Sequence, residues 1–186
     1  MTVNIILIAL ALAAVWLIFT FNSLIALRNQ VRNAFRQIDV QLKRRYDLIP
    51  NLVNSVKGEM KFEQETLEKV IQARSSAMSV SGGGNVGEIA RKEGELSMAL
   101  GKLIALSENY PNLKADQTMM RLQEELTTTE NKISFARQYY NDEVNRLNTA
   151  VQSFPGNVMA GMFGFKVAEF FQVETPEERN VPQVKF

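Results

Sequence analysis

Histidine and cysteine, two of the side chains most used for catalysis and metal binding, are missing from this chain of 186 residues. Without histidine, the commonest general base, the commonest zinc ligand and every Ser-His triad are excluded. Ferritin-like di-iron chemistry is excluded too, because it needs a Glu-x-x-His motif on bundle helices. Without cysteine there is neither a thiolate site nor a disulfide framework. Carboxylates are therefore the main groups left for chemistry.

The available carboxylates form no pattern that indicates a catalytic pair. Glu63, Glu124, Glu125 and Glu130 occur at the spacing of ordinary helix surfaces. The run Gly82-Gly83-Gly84 has no following Lys-Ser/Thr pair and no preceding strand, so it is not a phosphate loop. We therefore predict a non-enzyme with no cofactor, no metal site and no small-molecule substrate. An enzyme that used carboxylates alone is the remaining alternative, and it would need a bound metal.

The elements that would position any site begin with an uncharged segment. Arg28 is the first charged side chain, and the apolar run from Val3 to Phe21 is broken only by Asn4 and Thr20. About 20 apolar residues, rising 1.5 Å each, cross the roughly 30 Å hydrocarbon core of a bilayer. The length and composition of this segment predict a transmembrane helix.

A cleaved secretory signal is the alternative explanation of the apolar segment. Such a signal has a basic start, a shorter apolar core and a small-x-small cleavage site after that core. Residues 1–4 carry no Lys or Arg, and triplets such as Ala9-Leu10-Ala11 fall inside the apolar run. We therefore predict that residues 1–22 form an uncleaved single-pass anchor.

The basic residues beside the anchor predict its orientation. None precedes the apolar segment, whereas Arg28, Arg32 and Arg36 follow it within about 15 residues. This asymmetry places the N-terminus outside and the C-terminal domain in the cytoplasm.

The three arginines recur at helical spacing and are candidate contacts for anionic lipid headgroups, each worth about 1 kcal/mol near the surface. A solvated helix face is an equal alternative. The net charge of +1 gives no overall field that would attract nucleic acid.

The rest of the chain has the periodicity of helices. Apolar residues recur at three- and four-residue steps, and the alternation is most regular between Leu122 and Phe154, as in a coiled-coil-like seam. The anchor is predicted to continue without a break to the region of Pro50. Asp47 is predicted to cap a second helix with Pro50 in its first turn. Later helices are predicted at about 86–106 and 116–154.

These elements predict an all-α fold. Short connections between long helices favour antiparallel neighbours, so residues 23–154 are predicted to form a cytoplasmic antiparallel up-down bundle of four long helices. A short apolar membrane-proximal segment, residues 155–171, and an extended tail, residues 172–186, are predicted to follow.

Two further regions are candidate sites. Arg45, Tyr46, Asp47, Pro50 and Asn51 lie at the predicted corner between two helices, where they could dock a partner. A structural role as cap and first turn is the favoured alternative.

The second region is the apolar run 158–165, which is too short to cross a membrane. Its Phe163 and Phe165 are candidate lipid contacts at the membrane interface. Covering the end of the bundle or packing against a neighbouring subunit is the favoured alternative.

Long motifs in the chain resemble the LemA family. The resemblance extends over nearly the whole chain after residue 20, and the motifs that carry it are Leu27–Val31, Gln37–Val53, Glu108–Ala115, Thr129–Ile133, Ala136–Asp142 and Phe154–Phe165. Two places depart from the family pattern: Phe21-Asn22 stands where the family usually has Tyr-Asn, and Arg146-Leu147-Asn148 stands where a Tyr-Asn pair is common. The resemblance implies a bacterial inner-membrane protein with one N-terminal span and a cytoplasmic helical bundle. It implies no established reaction.

We therefore predict a membrane-anchored scaffold or adaptor that tethers partners by concentrating its bundle at the inner membrane. The expected partners are a second copy of the chain or another membrane protein. The alternative is a membrane-remodelling or stress-response protein that acts on anionic lipid through its arginines and its C-terminal apolar segment.

Overall fold

The computed structural model describes residues 2–60, 63–82 and 85–172, and every regular element within these ranges is an α-helix. The predicted all-α class is therefore confirmed for the part of the chain that the structure describes. The predicted extended tail, from residue 173 onward, lies outside the described residues. The six helices are α1 (Thr2–Lys57), α2 (Gln64–Ser81), α3 (Val86–Ser107), α4 (Pro111–Ala115), α5 (Gln117–Gln152) and α6 (Gly156–Phe163).

Helix α1 is 56 residues long and has no break between residues 22 and 28, as the sequence predicted. The predicted start of a second helix at Asp47 is wrong, because α1 continues through Pro50 to Lys57. Ile49, Leu52 and Val56 are all buried, so packing holds this part of the chain helical on both sides of the proline. Asp47 is consequently a residue within α1 and not an N-cap.

Side-chain caps fix two of the later helix starts. The Asn85 side chain accepts a hydrogen bond of 2.7 Å from the Glu88 amide at the start of α3. Asp116 accepts a hydrogen bond of 2.9 Å from the Met119 amide at the start of α5, which confirms its predicted capping role. Each cap satisfies a backbone donor that has no partner within its own helix. Gly164 ends α6 with a φ of 70°, a left-handed conformation that glycine adopts without steric cost.

The N-terminal half of α1 is apolar and exposed. Among the described residues, α1 is the one helix that is long and apolar enough to cross a membrane, and its most apolar window is entirely unburied. Phe19, for example, is 77 % exposed. A core helix of a water-soluble domain would bury such residues, so this exposure fits a helix surrounded by lipid.

The chain divides into two compact units. Of the described residues, the first unit comprises 2–38 and 136–170, and the second comprises those between 39 and 135 together with 171 and 172. The core of the first unit is an apolar stripe on each contributing helix: Leu24, Val31, Ala34 and Ile38 of α1, Ala136, Tyr140, Val144 and Leu147 of α5, and Met159 and Ala160 of α6. The predicted stripe of α5 does not reach Phe154, which is 81 % exposed beyond the end of that helix.

The core of the second unit is built in the same way. Its fully buried side chains recur at three-, four- and seven-residue steps on four helices, and burying each Leu, Ile or Val among them contributes about 1.5–3 kcal/mol. They include Leu42, Ile49, Leu52 and Val56 of α1, Val70 and Ala77 of α2, Ile89, Leu96 and Leu103 of α3, and Thr129 and Ile133 of α5.

Asp39 gives the stability of the chain a dependence on pH. Its side chain is half-buried on α1, its Oδ1 atom is enclosed without a hydrogen-bond partner, and desolvation raises the pKa of the carboxyl above its ordinary value of 3.8. The folded chain therefore holds this proton more tightly than the unfolded chain does. As the pH rises through the raised pKa, the Asp39 contribution to the free energy of unfolding is lost.

The variant Asp39→Asn should therefore be more stable than the native chain at pH 7. The difference should vanish as the pH falls below 3.8, the carboxyl's ordinary pKa, where both forms are uncharged at this position. Thermal unfolding midpoints measured across this pH range check the expectation. Asp47→Asn, at an exposed position on the same helix, is the control. Equal pH profiles for the two variants would contradict the assignment.

Candidate functional site

The three predicted lipid-contacting arginines lie on one exposed face of α1. Arg28, Arg32 and Arg36 are all exposed, and they follow one another at four-residue steps. Because 3.6 residues make one turn, this spacing stacks their side chains along the helix. They begin within two turns of Phe21, the last residue of the apolar segment. We call these residues the arginine stripe.

An aromatic cluster joins the end of α6 to α1. The ring centroid of Phe21 lies 4.8 Å from that of Phe163 and 5.9 Å from that of Phe165. The guanidinium of Arg28 lies 5.2 Å from the Phe165 centroid, a cation–π geometry. The structure thus brings three of the predicted lipid contacts, Arg28, Phe163 and Phe165, to one place beside the end of the apolar segment.

Side-chain hydrogen bonds hold the segment after α6 against α5. The Asn148 side chain donates to the Ala168 carbonyl at 2.9 Å and accepts from the Ala168 amide at 2.7 Å. The Tyr140 hydroxyl donates to the Glu169 carbonyl at 2.8 Å. Burial, and secondarily the nearby Glu169 carboxylate, raise the pKa of Tyr140, so the phenol stays protonated and able to donate. These bonds satisfy backbone groups that have no helical partner.

An exposed apolar surface surrounds the start and end of α6. Val158, Met162 and Phe163 of α6 are exposed, as is Phe154 immediately before the helix. Met159 and Ala160 form the opposite, buried face. One face of α6 is therefore buried and the other is exposed, although both faces carry mainly apolar side chains. Its outward face is the surface that the sequence assigned either to lipid or to a protein neighbour.

A buried charge cluster occupies the second unit. Arg45 is fully buried, and its guanidinium forms an ion pair with the buried Glu93 carboxylate. It also pairs with Glu130 at 2.5 Å and donates to the Ser97 hydroxyl at 3.0 Å. The Tyr46 hydroxyl donates to the other Glu93 oxygen. Because burying a lone charge is very costly, these mutual contacts are what makes the burial of Arg45 and Glu93 tolerable.

The predicted docking residues separate into two groups. Arg45 and Tyr46 are buried in the charge cluster, so they have no exposed surface to offer a partner. Asp47, Pro50 and Asn51 are exposed on α1. The sequence did not identify Glu93 as the partner of Arg45. A signal was present, because Arg45 falls three residues after Leu42 and Glu93 falls four after Ile89, both core spacings.

Because of Pro50, one carbonyl of α1 lacks its usual helical hydrogen-bond donor, and the Arg74 side chain donates to that carbonyl instead. A proline has no N–H, so the Tyr46 carbonyl four residues earlier cannot accept the normal helical bond. The Nε of Arg74, on α2, donates to that carbonyl at 2.8 Å. This contact joins residues 28 positions apart and explains how α1 continues through the proline.

The variant Arg74→Met should test this compensation. Losing the donor to a part-buried carbonyl is expected to lower the free energy of unfolding by about 1–3 kcal/mol. In the Pro50→Ala background the cost should be smaller, because the backbone amide restored by that substitution then bonds to the Tyr46 carbonyl. A double-mutant cycle by urea unfolding measures the difference. Equal costs in the two backgrounds would show that Arg74 acts elsewhere.

Comparison with known proteins identifies relatives of this chain. It is 27% identical to Protein LemA of Metamycoplasma hominis over 169 residues, which cover 86% of this chain and 75% of that protein. It is 23% identical to magnetosome protein MamQ 2 of Paramagnetospirillum magneticum over 179 residues, covering 84% and 66%, respectively. It is 21% identical to magnetosome protein MamQ of Magnetospirillum gryphiswaldense over 178 residues, covering 83% and 65%. The chain thus spans slightly less than two thirds of these magnetosome relatives.

A family model covers most of the described structure. The LemA family model matches residues 34–186, which include α2 to α6 and the part of α1 that carries the charge cluster. The match also covers Phe163, Phe165 and Asn148. Together with the all-helical fold and the apolar N-terminal helix, the match shows that the chain belongs to the LemA family.

Proposed function

We propose that this chain is a membrane-anchored, non-enzymatic scaffold of the bacterial inner membrane, which tethers partners at the cytoplasmic face. The proposal rests on the continuity of α1. This single helix is apolar and exposed in its first half, and its residues from Leu24 to Val56 include side chains that are buried in the helical domain. The span and the helical domain thus share one element. Tethering at a membrane raises the effective concentration of a partner without any new contact.

Several further observations support a scaffold. The long helices α1, α3 and α5 offer extended surfaces to a second copy or to another membrane protein. We propose that they pack in an antiparallel up-down arrangement. Glu130, one of the carboxylates considered for catalysis, is paired with Arg45 and so has a structural role. Two relatives carry the name magnetosome protein, and the third is named Protein LemA; none of these names states a reaction. A part in a larger membrane-associated assembly fits these names.

In-cell photo-crosslinking of the full-length chain tests the proposal. A photoreactive amino acid is placed at Asn51, beside Asp47 and Pro50 on the exposed part of the docking candidate. Gln72, an exposed amide on α2, is the matched control position. A discrete adduct from Asn51 that is absent from Gln72 is the expected result, and its mass shows whether the partner is a second copy. Equal, diffuse labelling at both positions would contradict docking at this surface.

The second candidate function is direct action on anionic lipid through the arginine stripe and α6. The aromatic cluster favours this function. Phe163 and Phe165 lie beside Phe21, the last residue of the apolar segment, and Phe165 contacts Arg28, the first charged residue. Side chains of this kind at such a depth contact the boundary between acyl chains and headgroups.

Tryptophan quenching in vesicles tests this candidate. The chain has one tryptophan, so Trp16→Phe combined with Phe163→Trp reports on α6 alone. Brominated lipid should quench this fluorescence, more strongly in anionic vesicles and less at high salt, because screening weakens the attraction of the arginines. Trp16→Phe with Met98→Trp, at an exposed site on α3, should not be quenched. Equal quenching at the two sites, or none at residue 163, would contradict lipid contact by α6.

A further inference from the structure

We propose that a groove in the first unit binds the acyl chain of a bilayer lipid. The groove has a volume of about 320 Å³. One wall is α1 from Trp16 to Leu24, and the other runs from Ala150, near the end of α5, to Gly156 at the start of α6. None of the residues predicted to contact lipid lines this groove, so it is separate from the arginine stripe and from Phe163 and Phe165. The inference rests on the proposed membrane anchoring.

Close backbone packing and small side chains shape the groove. A side chain on Gly156 would collide with the Ala150 carbonyl, so the chain turns from α5 into α6 within very little space. Ala150, Ser153 and Ser23 have small side chains, which leave the volume unfilled. The Thr20 hydroxyl donates to the Trp16 carbonyl at 3.0 Å, so its donor is satisfied within α1. The walls therefore present mainly apolar atoms.

The position of the groove identifies its occupant. Trp16 and Phe19 belong to the exposed apolar segment that would cross the bilayer, and Phe154 faces the groove from the other wall while 81 % exposed. The groove is thus continuous with the lipid-facing surface of the span. In this setting an acyl chain covers the rings, whereas water would leave their apolar surface hydrated at a free-energy cost. Ser23 and Ser153 line the groove with hydroxyl groups.

Photo-labelling of the full-length chain in nanodiscs tests the proposal. The nanodiscs contain phosphatidylcholine and phosphatidylglycerol with a diazirine on one acyl chain, and mass spectrometry maps the labelled residues. Ser153→Trp fills the groove from one wall. Gln152→Trp adds the same side chain at the neighbouring exposed position, which does not line the groove. Neither change touches a buried residue.

The expected result is labelling at Ser23, on the α1 wall of the groove, which Ser153→Trp lowers about fivefold and Gln152→Trp leaves unchanged. Labelling of residues 3–15 should be the same in all three proteins. If residues 3–15 are labelled but the groove residues are not, or if Ser153→Trp changes nothing, the groove proposal is overturned while the anchor stands. If residues 3–15 are themselves unlabelled, the proposed anchoring fails.

Discussion

Replacing Arg45 by methionine is expected to lower the free energy of unfolding by about 3–5 kcal/mol, because it leaves the Glu93 carboxylate buried without a cation. Methionine fills most of the space of the arginine stem, so the cost comes from charge and lost hydrogen bonds more than from a cavity. Glu130 contributes less to the cost, since its side chain is 39 % exposed and regains water. Urea unfolding of the detergent-solubilised chain measures the loss.

Two further variants show whether the cost of Arg45→Met comes from the burial of the Arg45–Glu93 ion pair or from the loss of any positive charge on α1. Arg44→Met removes an exposed arginine from the same helix and should cost less than about 0.5 kcal/mol. Arg45→Met with Glu93→Gln removes both charges, keeps an acceptor for the Tyr46 hydroxyl, and should recover more than about 1 kcal/mol of the loss. If Arg45→Met costs no more than Arg44→Met, the buried pair does not stabilise the fold.

The second large effect concerns the apolar half of α1. Leu10→Arg together with Ala13→Arg places two charges near the middle of the apolar segment, and each costs about 2.5–3.5 kcal/mol at the centre of a membrane helix. The combined cost corresponds to a loss of more than about a thousandfold in membrane partitioning, since 1.4 kcal/mol is a factor of ten. Most of the full-length protein should therefore leave carbonate-washed membranes.

A control with the same added charge accompanies this variant. Asn29→Arg with Asn33→Arg adds two arginines at exposed positions beyond the apolar segment and should leave the protein in the membrane fraction. Retention of the Leu10→Arg/Ala13→Arg protein in washed membranes would show that this segment does not cross the bilayer.

The apolar periodicity of the chain predicted much of this structure, because a helix that buries one face carries apolar residues at three- and four-residue steps in its sequence. The stripe from Ala136 to Leu147 lies in the core as predicted, and Asp116 caps α5. Ile71 and Met78, however, have the right residue type on α2 and are nevertheless exposed. Periodicity identifies a face of the helix but not how far the neighbouring helix covers it.

Long-range contacts account for what the sequence did not show. Pro50 is a typical first-turn residue, and α1 continues through it because Ile49 and Leu52 pack in the core and Arg74, 28 positions from Tyr46, donates to the Tyr46 carbonyl. The position of the non-helical segment 165–170 depends in the same way on Asn148, 20 positions before Ala168. Lys43, Arg44 and Arg45 have similar charge, yet only Arg45 is buried, because its helical position directs it toward Glu93.

Spin labelling along α1 in nanodiscs tests most directly whether one continuous helix crosses the membrane and enters the domain. The chain contains no cysteine, so single cysteines can be introduced without removing any. Labels at exposed positions from residue 5 to 19 should be accessible to oxygen and protected from a water-soluble nickel chelate. Labels at Asn22, Ser23 and Ala26 should show the restricted motion of helix-surface sites. Narrow, mobile spectra at these three positions, or access of the chelate to residues 5–19, would contradict a membrane-spanning helix that continues into the domain.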